Sequence, residues 1–214
     1  METLTNRDIV SIIRGVNPEF IESIAEVLID EGIKWIEVSI SDEKIGLECI
    51  DKLSKKFSKN EIKLGAGTVT NNEQVDRVLS LGASYIITPG WDKELIRYIN
   101  SKNVLVIPGV FSPSDVMQAQ SEGIKLCKLF PANDLKSSYI KSLKGPFPKM
   151  DFLAVGGVKR RNIEEYLDYG FKTVAIGSDL VPRNAKKKDL ENIRKSAQTY
   201  MKIMSKRNDS IETN

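Results

Sequence analysis

Short apolar runs recur along the chain, each bounded by glycine, proline or small polar residues. Between them the apolar positions space out at three and four. Ile9-Val10-Ser11-Ile12-Ile13-Arg14 reads as a buried strand, and the turn that follows ends at Pro18, where a helix can begin without an N–H. Phe20, Ile21, Ile24, Ala25 and Leu28 then form an apolar stripe that Gly32 closes. The rhythm repeats. Further strands are predicted over residues 33–40, 62–68, 84–88, 104–107, 123–130, 151–155 and 172–176. Helices are predicted over 42–59, 71–81, 92–100, 113–121, 139–143, 163–169 and 186–206. Eight strand–helix units with no linker between them predict a single closed parallel (β/α)8 TIM barrel over residues 1–206, with a polar tail at 207–214. The other arrangement of such units, an open doubly wound sheet, lacks support because no G-x-G-x-x-G follows the first strand.

The period of two singles out a pair of charged residues. In the sixth strand it places Ile124, Leu126 and Lys128 on one face, so an ammonium ends an apolar row just before Pro131. An unpaired buried lysine escapes the cost of desolvation by shedding its proton, and a neutral amine in a dry pocket is a nucleophile toward carbonyl carbon. The plainer reading is a lysine whose head snorkels out at the strand end. Glu37 lies in mid-strand between Trp35 and Ser39 on their face, a position poor for a carboxylate in both β propensity and burial. Facing Lys128 across the barrel, it could shuttle protons for the amine or form a structural ion pair with it.

Composition narrows the chemistry. The 214 residues contain no histidine, which removes Ser-His-Asp triads, most catalytic zinc sites and the usual neutral-pH proton carrier. Any enzyme here must work with Lys, Glu, Asp, Tyr, backbone amides or a hard metal, and no organic cofactor is expected. With 32 basic and 29 acidic residues spread along the chain, the net charge of +3 gives no reason to expect nucleic acid but suits an anionic metabolite. Lys186-Lys187-Lys188 reads as a solvated helix face. Two cysteines, no apolar leader and no run of membrane-spanning length point to the cytoplasm and away from any membrane. Cys127 points away from Lys128 and reads as packing.

In a barrel of this type the chemistry collects at the carboxyl ends of the strands. Those positions hold Arg14, Glu37 with Ser39, Thr68, Pro89-Gly90, Pro108-Gly109, Lys128 with Phe130, Gly156-Gly157 and Gly177-Ser178. One glycine turn is the default for a tight link. Two at adjacent strand ends, the seventh and eighth, point to a phosphate or carboxylate held by backbone N–H groups.

The motifs Ile36-Glu37-Val38-Ser39, Gly65-Ala66-Gly67-Thr68-Val69, Thr88-Pro89-Gly90, Ile107-Pro108-Gly109, Lys128-Leu129-Phe130-Pro131-Ala132, Val155-Gly156-Gly157-Val158 and Ile176-Gly177-Ser178 fall in order over residues 8–182. As a set the chain resembles the 2-keto-3-deoxy-6-phosphogluconate / 4-hydroxy-2-oxoglutarate aldolases. The resemblance implies a class I aldolase, a carbon–carbon lyase working as a homotrimer without a metal, on a phosphorylated keto acid and pyruvate. By the family pattern Lys128 is the Schiff-base lysine and Glu37 the general acid/base. Thr68, Pro89 and Phe130 line the pyruvyl pocket, Gly156, Gly157 and Ser178 hold the distal phosphate, and Arg14 meets a substrate anion. Two positions depart from it. Ser41 stands where the phosphogluconate enzymes commonly carry arginine, and Val155 where they carry threonine; the second, with Ser178-Asp179-Leu180, looks more like the phosphogalactonate branch. Two other readings of the same residues stay open. One is a sugar-phosphate isomerase or epimerase with Glu37 as base; the other is a non-catalytic barrel that senses a phosphometabolite or binds RNA.

Overall fold

A computed structural model describes residues 3–212. Its strands are β1 (Ile9–Ile13), β2 (Trp35–Ser39), β3 (Lys63–Gly67), β4 (Tyr85–Ile87), β5 (Leu105–Ile107), β6 (Gly109–Val110), β7 (Leu126–Leu129), β8 (Asp151–Val155) and β9 (Thr173–Ile176). The helices are α1 (Ile21–Asp30), α2 (Glu43–Lys56), α3 (Asn72–Ser80), α4 (Lys93–Ser101), α5 (Pro113–Ser121), α6 (Ser137–Lys144), α7 (Ile163–Tyr169) and α8 (Leu190–Glu212). Polar side chains set several helix starts. Asp42, Asn71, Asp92 and Ser112 each accept from the backbone N–H three residues on, which caps the first turn.

The strands pair in parallel in the order β5-β4-β3-β2-β1-β9-β8-β7-β6. Nine segments stand where eight strands were expected, because the fifth is cut at Pro108. Proline has no N–H to donate to a ladder, so pairing passes from one neighbour to the other at that residue. Ahead of it β5 pairs with β4, and beyond it β6 pairs with β7. The Pro108 carbonyl still accepts from the Lys128 N–H at 2.8 Å. The two ends of the sheet are thus one stretch of chain, and the barrel closes.

Alternation along each strand makes two cores. Outward residues pack under the helices in a large apolar shell. Inward residues, among them Val10, Trp35, Tyr85, Ile87, Ile107, Leu126, Leu153 and Val155, fill the barrel, and Leu4 from the segment before β1 joins them. Trp35 and Tyr85 meet edge to face, ring centroids 5.1 Å apart. Their bulk fits because β3 offers bare backbone. A Cβ on Gly65 would lie 2.2 Å from the Tyr85 ring.

Two helix boundaries need correction. The first helix begins at Ile21 and not at Pro18, because the Asn17 side chain accepts the Glu19 N–H and holds a turn ahead of it. The last helix begins after a 3-10 turn at Lys187–Asp189 and runs on to Glu212, so much of the expected polar tail is helical. Residues 1–2 and 213–214, at the ends of the expected domain and tail, lie outside the described residues. Among the described residues no helix is long and apolar enough to cross a membrane.

Candidate active site

The carboxyl ends of the strands surround a cavity of about 260 Å³. Ten residues singled out from the sequence line it together: Arg14, Glu37, Thr68, Pro89, Lys128, Phe130, Gly156, Gly157, Gly177 and Ser178. β7 delivers Lys128 to its floor, in register with Gly109 on one side and Leu153 on the other. The side chain is 6% exposed, so the snorkelling alternative does not describe it. Nζ lies 4.8 Å from the centroid of the Phe130 ring, which stands partly exposed at the mouth.

β2 carries Glu37 to the same cavity, 2% exposed. The carboxyl group rests where β3 lacks a side chain, since a Cβ on Gly67 would fall 1.7 Å from Oε1. Oε2 is sealed from solvent and has no hydrogen-bond partner within the protein. Burial pushes the Glu37 pKa up, against the opposing charges of Lys128 and Arg14. Burial pushes the Lys128 pKa down; Glu37 works against that shift and Arg14 adds to it. Among the described residues no hydrogen bond or ion pair joins Glu37 to Lys128. The pair acts through space, and the structural ion pair is not formed.

One wall is polar. Arg14 Nε donates to Ser39 Oγ at 3.2 Å and Nη2 to Thr68 Oγ1 at 3.3 Å, while the two hydroxyls lie 3.0 Å apart. Ser39 Oγ donates to Ser41 Oγ at 3.2 Å and extends the chain of contacts. Thr68 holds this place with φ +66°, a left-handed conformation that a β-branched residue rarely adopts.

The far end is built from glycine turns. Gly156 and Gly157 have φ of +99° and +71°, and a Cβ on Gly157 would lie 2.3 Å from the Asn133 Cβ. Lys159, Asp179 and Arg183 also line this end. Asp179 entered the sequence reading only through Ser178-Asp179-Leu180, and Lys159 and Arg183 were not singled out, although each lies within a few residues of a glycine turn that was. Asp179 is engaged elsewhere: its Oδ2 accepts from the Tyr200 hydroxyl at 2.5 Å and faces Arg160 Nε at 3.5 Å. That leaves Lys159 and Arg183 as the cations of the outer end. Cys127 packs in the outer shell, its thiol pushed up to about 12 by burial. Among the described residues, no group of three or more His, Cys, Asp or Glu side chains is placed to hold a metal ion.

A buried amine, a buried carboxyl and an anion-seeking rim suit carbonyl chemistry on a small acid, and comparison with known proteins points the same way. The family model described as "Aldolase: KDPG and KHG aldolase" matches residues 1–196. The 2-dehydro-3-deoxy-6-phosphogalactonate aldolase of Escherichia coli (strain K12) is 31% identical over 183 residues, which is 84% of this chain and 87% of that one. A solved structure titled "Native KDPGal structure" superposes with a TM-score of 0.84 at 27% identity, covering 94% of this chain and 96% of the other. The KDPG aldolase of Legionella pneumophila, solved with pyruvate captured at low pH as a covalent carbinolamine intermediate, superposes with a TM-score of 0.78 at 28% identity. That match covers 90% of this chain and 91% of the other. This chain belongs to the KDPG and KHG aldolase family, the carbon–carbon lyases whose barrel it shares.

Proposed function

We propose that this chain reversibly cleaves a 2-keto-3-deoxy-6-phospho sugar acid to pyruvate and glyceraldehyde 3-phosphate through an imine on Lys128. 4-Hydroxy-2-oxoglutarate, giving pyruvate and glyoxylate, is the smaller substrate of the same kind. One observation carries the reading: an amine pushed toward its neutral form and a carboxyl pushed toward its protonated form face one cavity.

Neutral Nζ adds to the C2 carbonyl carbon, and the oxygen takes up a proton to give a carbinolamine. Glu37 protonates the departing hydroxyl, water leaves, and a cationic imine remains. Glu37, now a carboxylate, accepts the C4 hydroxyl proton through a water. The C3–C4 bond breaks, its electron pair flows into the imine to make an enamine, and the aldehyde departs. Protonation at C3 and addition of water then release pyruvate and restore the amine. Arg14 and Thr68 hold the pyruvyl carboxylate, and Pro89 and Phe130 keep water from its flanks. Gly156, Gly157, Gly177 and Ser178 present the backbone to the phosphate, with Lys159 and Arg183 supplying charge.

Sodium borohydride added with pyruvate is expected to fix a reduced adduct on Lys128, read by peptide mass, and Lys128→Ala loses both adduct and pyruvate release. Active protein with an unmodified Lys128 peptide overturns the reading. A pyruvate-release assay compares the phosphogluconate, phosphogalactonate and hydroxyoxoglutarate substrates. Charge-assisted bonds at the outer end favour a phosphorylated one by about 10-fold or more in kcat/KM. We also take the protein to be cytoplasmic and a homotrimer. The free cysteines suit a reducing compartment, and exposed Phe111 and Met117 offer apolar surface for association. Light scattering in solution gives the mass that decides the second point.

A further inference from the structure

Below the amine, the barrel interior contains a second polar group that the reaction scheme above leaves idle. Tyr85 on β4 is 1% exposed, and its hydroxyl has no hydrogen-bond partner within the protein. A phenol sealed in an apolar core normally finds a partner, because the desolvated hydroxyl is otherwise unfavourable. The other unpartnered oxygen on this side of the barrel is Oε2 of Glu37.

Strand register brings the two together. Glu37 and Tyr85 are both Cα partners of Gly65, one from β2 and one from β4, so the three residues form one row across the barrel wall. With no side chain on Gly65, nothing of β3 stands between them. The hydroxyl-bearing carbon of Tyr85 lies 2.2 Å from where the Gly65 Cβ would be, and Glu37 Oε1 lies 1.7 Å from where the Gly67 Cβ would be. Gly65 and Gly67 face the same way, about 6.6 Å apart along the strand. The oxygens themselves lie off those two points, and a single water spans oxygens about 4.5–5.5 Å apart, a separation these offsets allow. The Tyr85 pKa is raised well above its usual value by burial and by the Glu37 charge, so the phenol stays a proton donor throughout the working range.

We propose that Tyr85 is a positioning residue for Glu37: its hydroxyl, through one buried water, anchors the inner carboxyl oxygen and leaves the outer one free to serve the substrate. The inference rests on the aldolase reading of this site. The ionisable groups facing Glu37 are Lys128 from β7, Arg14 from the end of β1 and Tyr85 from β4. Lys159, Asp179 and Arg183 stand farther out, at the mouth. Tyr85 is the neutral donor of the set, so removing its hydroxyl takes away support for the carboxylate and leaves the charges in place.

The test is Tyr85→Phe, which keeps the ring over Gly65 and beside Trp35. Pyruvate release is followed from acid to alkaline pH, with borohydride trapping of pyruvate on wild type and variant as the control. The expected result is an acidic limb of the kcat profile moved upward by about half a unit to one unit and kcat lowered by about 5- to 20-fold. KM stays within about twofold, and trapping on Lys128 remains. A hydroxyl that only fills space would leave the limb where it is. A wild-type adduct with an unmoved limb overturns the inference alone, whereas no wild-type adduct overturns the aldolase reading and the inference with it.

Discussion

Glu37 is held in an environment that resists its charge, and that has a thermodynamic consequence separate from catalysis. The unfolded chain ionises this glutamate near 4.5, while the folded chain keeps the proton to higher pH. Folding stability therefore declines as pH rises out of the carboxylate range, and the loss is complete once the folded pKa is passed. Glu37→Gln cannot ionise and escapes the loss. Its Tm by calorimetry is expected to exceed that of wild type at about pH 7.5, with the gap closing toward about pH 4. Pyruvate release by the same variant falls by about 10²- to 10⁴-fold, the usual worth of a placed acid/base group. A variant that melts below wild type at neutral pH would show that the carboxylate is well satisfied after all. Lys128 carries the mirror-image sign: its penalty develops as pH falls below the ordinary lysine value of 10.5.

At the scale of one element, β3 shows how a strand can serve the site by what it lacks. Gly65 clears the Tyr85 ring and Gly67 clears the Glu37 carboxyl, and the two substitutions should fail differently. Gly65→Ala drives a methyl into a fully buried ring with no room to move, at a cost of about 1–3 kcal/mol in chemical denaturation. Gly67→Ala meets the far end of a side chain that can swing. It leaves most of the stability and lowers kcat by about 10²-fold through misplacement of the carboxyl. The sequence displayed this strand plainly as Gly65-Ala66-Gly67-Thr68, and the alternation of β2 and β7 placed Glu37 and Lys128 on inward faces. What each glycine makes room for depends on register between strands, which no single segment encodes. For the same reason Tyr85, Lys159 and Arg183 were not singled out from the sequence. Pro108 was visible, but its effect on the fifth strand needed both neighbouring strands in view.

At the scale of the whole molecule, the last helix reaches round to the mouth of the cavity. α8 packs on α1, where Arg194 bridges Asp30 at 3.0 Å and Glu31 at 2.6 Å. On its buried side Tyr200 is fully enclosed and bonds Asp179, the residue after Ser178. The end of the chain thus holds the loop of the proposed phosphate site from behind. Tyr200→Phe keeps the ring and removes a hydrogen bond to a charged group, and thermal unfolding should show a loss of about 1–2 kcal/mol. Trapping of pyruvate on Lys128 should be unchanged, because that end of the cavity does not touch Asp179. KM for a phosphorylated substrate should rise by several-fold.

The twisted backbone at Thr68 sets one demand against another. Glycine there would relax the chain, yet it would also strip the hydroxyl from the wall that Arg14 and Ser39 complete. A programme that selected this protein for heat tolerance alone would tend to arrive at that exchange, and would harvest a hardier barrel with a poorer grip on its substrate.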